Sequence, residues 1–158
     1  MMVKHAVIIL FLVSVFAACT TANKLVKQGN AKAEQLQYEE ASTYYYNALL
    51  RKPEHAGAKA GLSVSAQKVL DEKFVNFNKL VVENNIDEAM KAYKNAENYS
   101  NTSKSVGAPL RWPTEYDEIY IDIRAEYISK LYDEALVQMK DKRYELAEQT
   151  FERIGNLD

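Results

Sequence analysis

Turn-forming residues are so sparse in this chain that they decide its class. Its 158 residues include five glycines and three prolines, the latter at 53, 109 and 113. Between them run long stretches of Ala, Leu, Glu and Lys, which lose little side-chain freedom in a helix. A β fold would need turn residues at every strand reversal, so the chain reads as all-α. The run Ile119-Tyr120-Ile121-Asp122-Ile123 is strand-like in composition. It reads as helix because Tyr116, Ile119 or Tyr120, Ile123, Tyr127 and Leu131 continue it at three-and-four spacing. The patterns predict helices near 24–36, 38–52, 55–84, 86–99, 114–141 and 143–155. Asn85 with Glu88, and Thr114 with Asp117 after Pro113, have the form of helix starts with capping side chains. Residues 99–111, rich in Ser, Asn and Thr, read as the one long loop, with Trp112 tucked against a neighbouring helix.

Three segments share one pattern: Tyr38-Glu39-Glu40-Ala41, Ile86-Asp87-Glu88-Ala89 and Tyr144-Glu145-Leu146-Ala147. Each opens the second helix of a hairpin. Four residues after each alanine stands an aromatic, Tyr45, Tyr93 or Phe151, and three further on Ala48, Ala96 or Ile154. Twelve residues before the alanines, where a close helix crossing wants a small side chain, stand Gly29, Phe77 and Ala135. The pattern resembles the tetratricopeptide repeat, a helix-turn-helix of about 34 residues. The first unit, near 22–55, matches best and ends at Pro53. The alanines are 48 and 58 residues apart, so the first helices of the later units must be longer. The expected fold class is therefore all-α, with TPR-like helical hairpin repeats, about three of them, over residues 24–158. Repeat arrays usually end in a polar cap. None is evident here, so the last helix is expected to expose part of its apolar side unless a partner, a second copy of the chain or a continuation covers it.

The N-terminus has the parts of an export signal: Lys4 and His5, the apolar run Ala6 to Phe16, then small residues before a cysteine. The run is shorter than the roughly 20 residues a spanning helix needs. Phe16-Ala17-Ala18-Cys19 resembles the lipobox of bacterial lipoproteins. That resemblance implies a signal peptide over 1–18, lipid on the Cys19 thiol, and a short tether over 19–23 holding the domain close to a membrane. Cys19 is the only cysteine, so an intramolecular disulfide is excluded. Thr20 is not the Asp that retains some lipoproteins in the inner membrane, which favours the outer membrane.

A content of 47% hydrophobic and 27% charged residues describes one ordinary globular domain and argues against disorder. The net charge of −2 becomes −3 once residues 1–18, with Lys4 as their only charged side chain, are removed. That balance gives no electrostatic reason to expect nucleic acid or an anionic membrane surface as partner. No H-E-x-x-H pair, phosphate loop or G-x-S-x-G elbow occurs. Glu39-Glu40 and Asp87-Glu88 sit at helix N-termini, where they favour the dipole. His55, beside Pro53, reads as a solvated turn residue. No catalysis, cofactor or metal is expected.

The tetratricopeptide resemblance implies instead a peptide- or protein-binding groove lined by the first helices. By register the groove positions are Val26, Phe74 and Tyr132, then Asn30, Asn78 and Leu136, then Ala33, Val81 and Met139. They lack the basic residues that clamp a peptide carboxylate. The competing reading is that Phe74, Tyr132 and Met139 are core, since helical apolar stripes usually are. Two functions follow as expectations: an adaptor docking another envelope protein, or a lipoprotein binding a small molecule such as a glycan or peptidoglycan fragment. A pocket ringed by Tyr and Asn would favour the second.

Overall fold

A computed structural model describes residues 21–157. Cys19 and the lipobox-like segment lie outside the described residues. The described chain is all-helical, with no strand. Its elements are α1 (21–34), α2 (Tyr38–Arg51), α3 (Ala56–Val82), α4 (Ile86–Ser105), α5 (Glu115–Lys140) and α6 (Tyr144–Gly155). Five of the six agree with the sequence patterns to within a few residues at either end. Among the described residues no helix is long and apolar enough to cross a membrane.

The long loop expected over 99–111 is a correction: α4 continues to Ser105. Ser, Thr and Asn disfavour helix interiors because their side chains compete for the backbone. Here they bond within the helix. Thr102 donates to the Asn98 carbonyl at 2.9 Å and Ser105 to that of Thr102 at 2.7 Å, while buried Ser103 donates to Ala108 at 2.5 Å and closes the helix end. Burial of Ser103 and partial burial of Tyr99 supply the packing that low propensity lacks. The remaining loop is pinned by Gln67, whose amide accepts from the Arg111 N–H at 2.9 Å and donates to its carbonyl at 3.2 Å. The expected cap at Thr114 is also corrected, since its side chain makes no capping hydrogen bond.

The turns after α1, α3 and α5 share one geometry. Each places a non-glycine residue in the left-handed region: Leu36 at φ 60°, Asn84 at 56° and Lys142 at 60°. In each, that residue's N–H reaches back three positions and the next N–H reaches back five. The second bond is Gln37 to Lys32 at 3.0 Å, Asn85 to Leu80 at 2.9 Å and Arg143 to Gln138 at 2.8 Å. This pattern normally uses glycine. Left-handed backbone costs an ordinary residue about 1–2 kcal/mol, and Leu36 is 70% exposed. Leu36→Gly is therefore expected to raise stability by up to about 1 kcal/mol after the extra freedom of glycine in the unfolded chain is subtracted. Thermal melts should show a rise of a few degrees; a fall would mean that the exposed Leu36 side chain contributes more than relief of strain returns.

The chain divides into two compact units, residues 21–73 with 95–112, and residues 74–94 with 113–157. In the first, Ala41, Tyr45, Ala48 and Leu49 of α2 pack on Ala58, Leu62 and Ala66 of α3 and on Ala108. Tyr45 lies between two glycines. A Cβ on Gly29 would stand 2.7 Å from its ring, one on Gly61 closer still, and its hydroxyl donates to Asn30 Oδ1 at 2.7 Å. His55 is corrected from solvated turn residue to half-buried cap: its Nδ1 accepts from the Ala58 N–H at 3.2 Å and its Nε2 pairs with Asn23 Oδ1 at 2.8 Å.

The second unit is built on rings. Phe74 stacks on Tyr116 at 4.6 Å, Tyr93 stacks on Tyr120 at 4.0 Å, and fully buried Phe77 meets Tyr93 at 5.6 Å and Tyr116 at 5.8 Å. Tyr93 Oη donates to Asp117 at 2.6 Å. Leu131, Ala135 and Gln138 of α5 are buried, and so is Ala147 of α6; Phe151 packs edge-on against Tyr132 at 5.8 Å. A polar clasp adds to these contacts. Tyr127 donates to Asp87 at 2.7 Å, and the Arg153 guanidinium donates to Asp87 and to the Tyr127 hydroxyl. Burial alone would raise the Asp87 carboxyl, but the bonds from Arg153 and Tyr127 outweigh it and hold the group below the usual carboxylate range. Burial and the neighbouring Asp87 push the Tyr127 phenol up to about 12. Both groups keep their ordinary charge at neutral pH, so the clasp remains closed there.

Candidate functional site

The groove positions read from the sequence do not form one set. Val26 and Ala33 pack against the core of the first unit, and Asn30, though exposed, accepts the Tyr45 hydroxyl. Phe74 is a correction: it is 2% exposed and enclosed by Phe77, Tyr93 and Tyr116, so it serves the core. Val81 is half-buried and Asn78 exposed. Of the packing positions, Gly29, Ala41, Tyr45, Ala48, Ala89, Tyr93, Ala96, Ala135 and Ala147 are buried and Phe151 is half-buried.

What stays open on α5 is a stripe. Tyr132 is 51% exposed, Leu136 45% and Met139 46%. They follow the helical period one position after the buried stripe Leu131, Ala135, Gln138, so a shift of one residue, about 100° around the helix, separates core from surface. Three large apolar side chains in line make a patch that a solvated helix would not need.

A second feature lies in the first unit. Glu39, Ser42, Thr43, Tyr46 and Asn47 occupy one face of α2, and Tyr99, Thr102 and Ser103 one face of α4; between these walls Leu62 and Ala66 of α3 form the floor of a cleft of about 340 Å³. The small side chain of Ala66 gives it depth. A neighbouring depression shares Glu39 and Thr43 and adds Glu40 and Glu72. No family model, curated protein or solved structure matches the chain.

The cleft's polar groups are unevenly committed. Ser42 donates to the Tyr38 carbonyl at 2.8 Å and Thr43 to that of Glu39 at 3.1 Å, as Thr102 and Ser103 do within or beside α4. All four hydroxyl protons are spent on backbone, leaving oxygen lone pairs. Tyr99 Oη is buried without a hydrogen-bond partner among the described residues; the nearby Ser42 hydroxyl, aimed at Tyr38, does not meet it in adequate geometry. Burial, with the Glu39 charge adding to it, pushes the Tyr99 phenol up and keeps it neutral. Lys73 lies over the Tyr99 ring at 5.2 Å and is held by Asn95 at 2.7 Å, outside the cleft lining. The sequence patterns missed this site because its walls come from the second helices of the hairpins. The groove register considered only the first helices. Among the described residues no group of three or more His, Cys, Asp or Glu side chains could hold a metal ion.

Proposed function

We propose that the chain is a lipid-anchored interaction module of the bacterial envelope, a tetratricopeptide-like helical array that docks a segment of another envelope protein. The observation that carries this reading is the stripe of Tyr132, Leu136 and Met139, about half exposed along α5. An amphipathic segment laid along such a stripe would bury its own apolar face against these side chains. The repeat reading is supported by the three turns of common geometry at Leu36, Asn84 and Lys142, each five residues before Ala41, Ala89 or Ala147. The anchor rests on Phe16-Ala17-Ala18-Cys19. With two or more acyl chains the attachment is stable, at the outer membrane in preference to the inner. The reading assigns the protein no catalytic step.

The test is a crosslinked pull-down from membranes with fatty-acid labelling. A Tyr132→Ala, Leu136→Ala variant is expected to keep its label and helix content and to lose the partners that the native protein recovers. Cys19→Ser is expected to persist as an unlabelled precursor. Phe74 is unsuitable as a surface probe because its removal would empty the core. Recovery of the same partners by the stripe variant rules out docking there, and a matured, labelled Cys19→Ser protein rules out the anchor.

A further inference from the structure

The cleft over Leu62 and Ala66 is separate from the α5 stripe and does not depend on how that stripe is used. Its volume, about 340 Å³, lies at the lower end of the roughly 300–1,000 Å³ typical of small-ligand sites. Its floor is apolar, so an occupant must bring an apolar body. Its walls determine the rest. No Lys or Arg belongs to the lining, and the one formal charge is the Glu39 carboxylate. Anions find no counter-charge there. The hydroxyls of Ser42, Thr43, Thr102 and Ser103 present lone pairs because their protons are used, and the Tyr99 oxygen is buried and unbonded. A buried polar atom without a partner costs about 1–3 kcal/mol. A donor group arriving in the cleft satisfies the Tyr99 lone pair and recovers part of that loss. The acceptor surplus continues outward, since the adjoining depression adds Glu40 and Glu72, although Glu40 is already paired with Lys32.

We propose that this cleft binds a small primary amine with an apolar body, whose ammonium donates its three protons to Glu39, to Tyr99 Oη and to one of the wall hydroxyl oxygens while the body rests on Leu62 and Ala66. Asn47 and the Tyr46 ring complete the enclosure. A carboxylate of the same shape meets the like charge of Glu39 and no cation in the lining; the Tyr46, Asn47 and Tyr99 side chains can donate to it but do not neutralise it, so the site discriminates by charge sign as well as by size.

Phenethylamine and 3-phenylpropionate, similar in shape and opposite in charge, are the probes, titrated into the purified full chain and followed by NMR. Phenethylamine is expected to bind saturably at millimolar concentration and to shift resonances of Thr43, Asn47 and Thr102. Phenylpropionate is expected to bind at least tenfold more weakly. Tyr99→Phe keeps the ring and removes the unbonded oxygen, and Glu39→Gln removes the charge. Neither disturbs a buried apolar contact, and each should weaken amine binding about five- to tenfold. Equal binding of the two probes, no saturable binding of the amine, or unchanged affinity in both variants overturns the proposal.

Discussion

Phe77→Ala is expected to lower the stability of the protein by about 3–5 kcal/mol, the range for deleting a buried phenyl ring. The side chain is 0% exposed, and its ring sits among Phe74, Tyr93 and Tyr116 at centroid distances of 6.4, 5.6 and 5.8 Å. The neighbouring rings are themselves fixed: Phe74 is stacked on Tyr116, Tyr93 on Tyr120, and the Tyr93 hydroxyl is bonded to Asp117. They cannot collapse into the vacated space, so most of the cavity cost remains. Domains of this size hold a total of about 5–15 kcal/mol, which makes the substitution close to unfolding. Urea titration followed by circular dichroism measures it, with Val75→Ala, at a 69% exposed position on the same helix, as the control expected to change little. A loss below about 1 kcal/mol for Phe77→Ala would show that the ring cluster relaxes and is not the organising contact of the second unit.

Gly61→Ala is the second large effect, and its sign separates two forces. Helix propensity alone favours alanine over glycine by up to about 1 kcal/mol. The new Cβ, however, would enter the Tyr45 ring. That ring has little room to retreat, because Gly29 approaches it so closely that a Cβ there would stand 2.7 Å from the same ring, and Asn30 Oδ1 accepts its hydroxyl proton at 2.7 Å. Overpacking of this kind costs about 1–3 kcal/mol, so the packing term is expected to win and the melting temperature to fall. In a Tyr45→Leu background the penalty should shrink, because the obstructing ring is gone and the residual propensity gain shows through. A melting temperature that rises on Gly61→Ala in the native background would mean that Tyr45 is free to shift.

Helix content and order were legible because they depend on local chemistry: few breakers, long runs of good helix formers and an apolar repeat of three and four. The small positions at Gly29, Ala41 and Ala48 were legible for the same reason, since a close crossing restricts volume at known offsets. The common turn was not, because Leu36 and Lys142 carry none of the usual signal for left-handed backbone; hydrogen bonding within the hairpin holds them there. The helical course of residues 99–105 was hidden as well. Its composition argues for a loop, and burial of Ser103 against the first unit reverses that preference.

The candidate sites divide along the same line. A helical stripe announces that a face is apolar, but Phe74 and Tyr132 occupy the same register position and end at 2% and 51% exposure. What stands opposite each decides the outcome: Phe74 meets Tyr93 and Tyr116, while one side of Tyr132 meets Phe151 and the other is open. The cleft between α2 and α4 is likewise a property of the packed first unit. By itself the sequence determined an all-helical chain with small residues where helices cross closely, because propensity and side-chain volume act over a few residues. Only the tertiary structure decided which apolar faces became core, which oxygens were left without a proton to offer, and where Tyr99 would be buried without a partner, because those outcomes depend on residues that meet across dozens of positions.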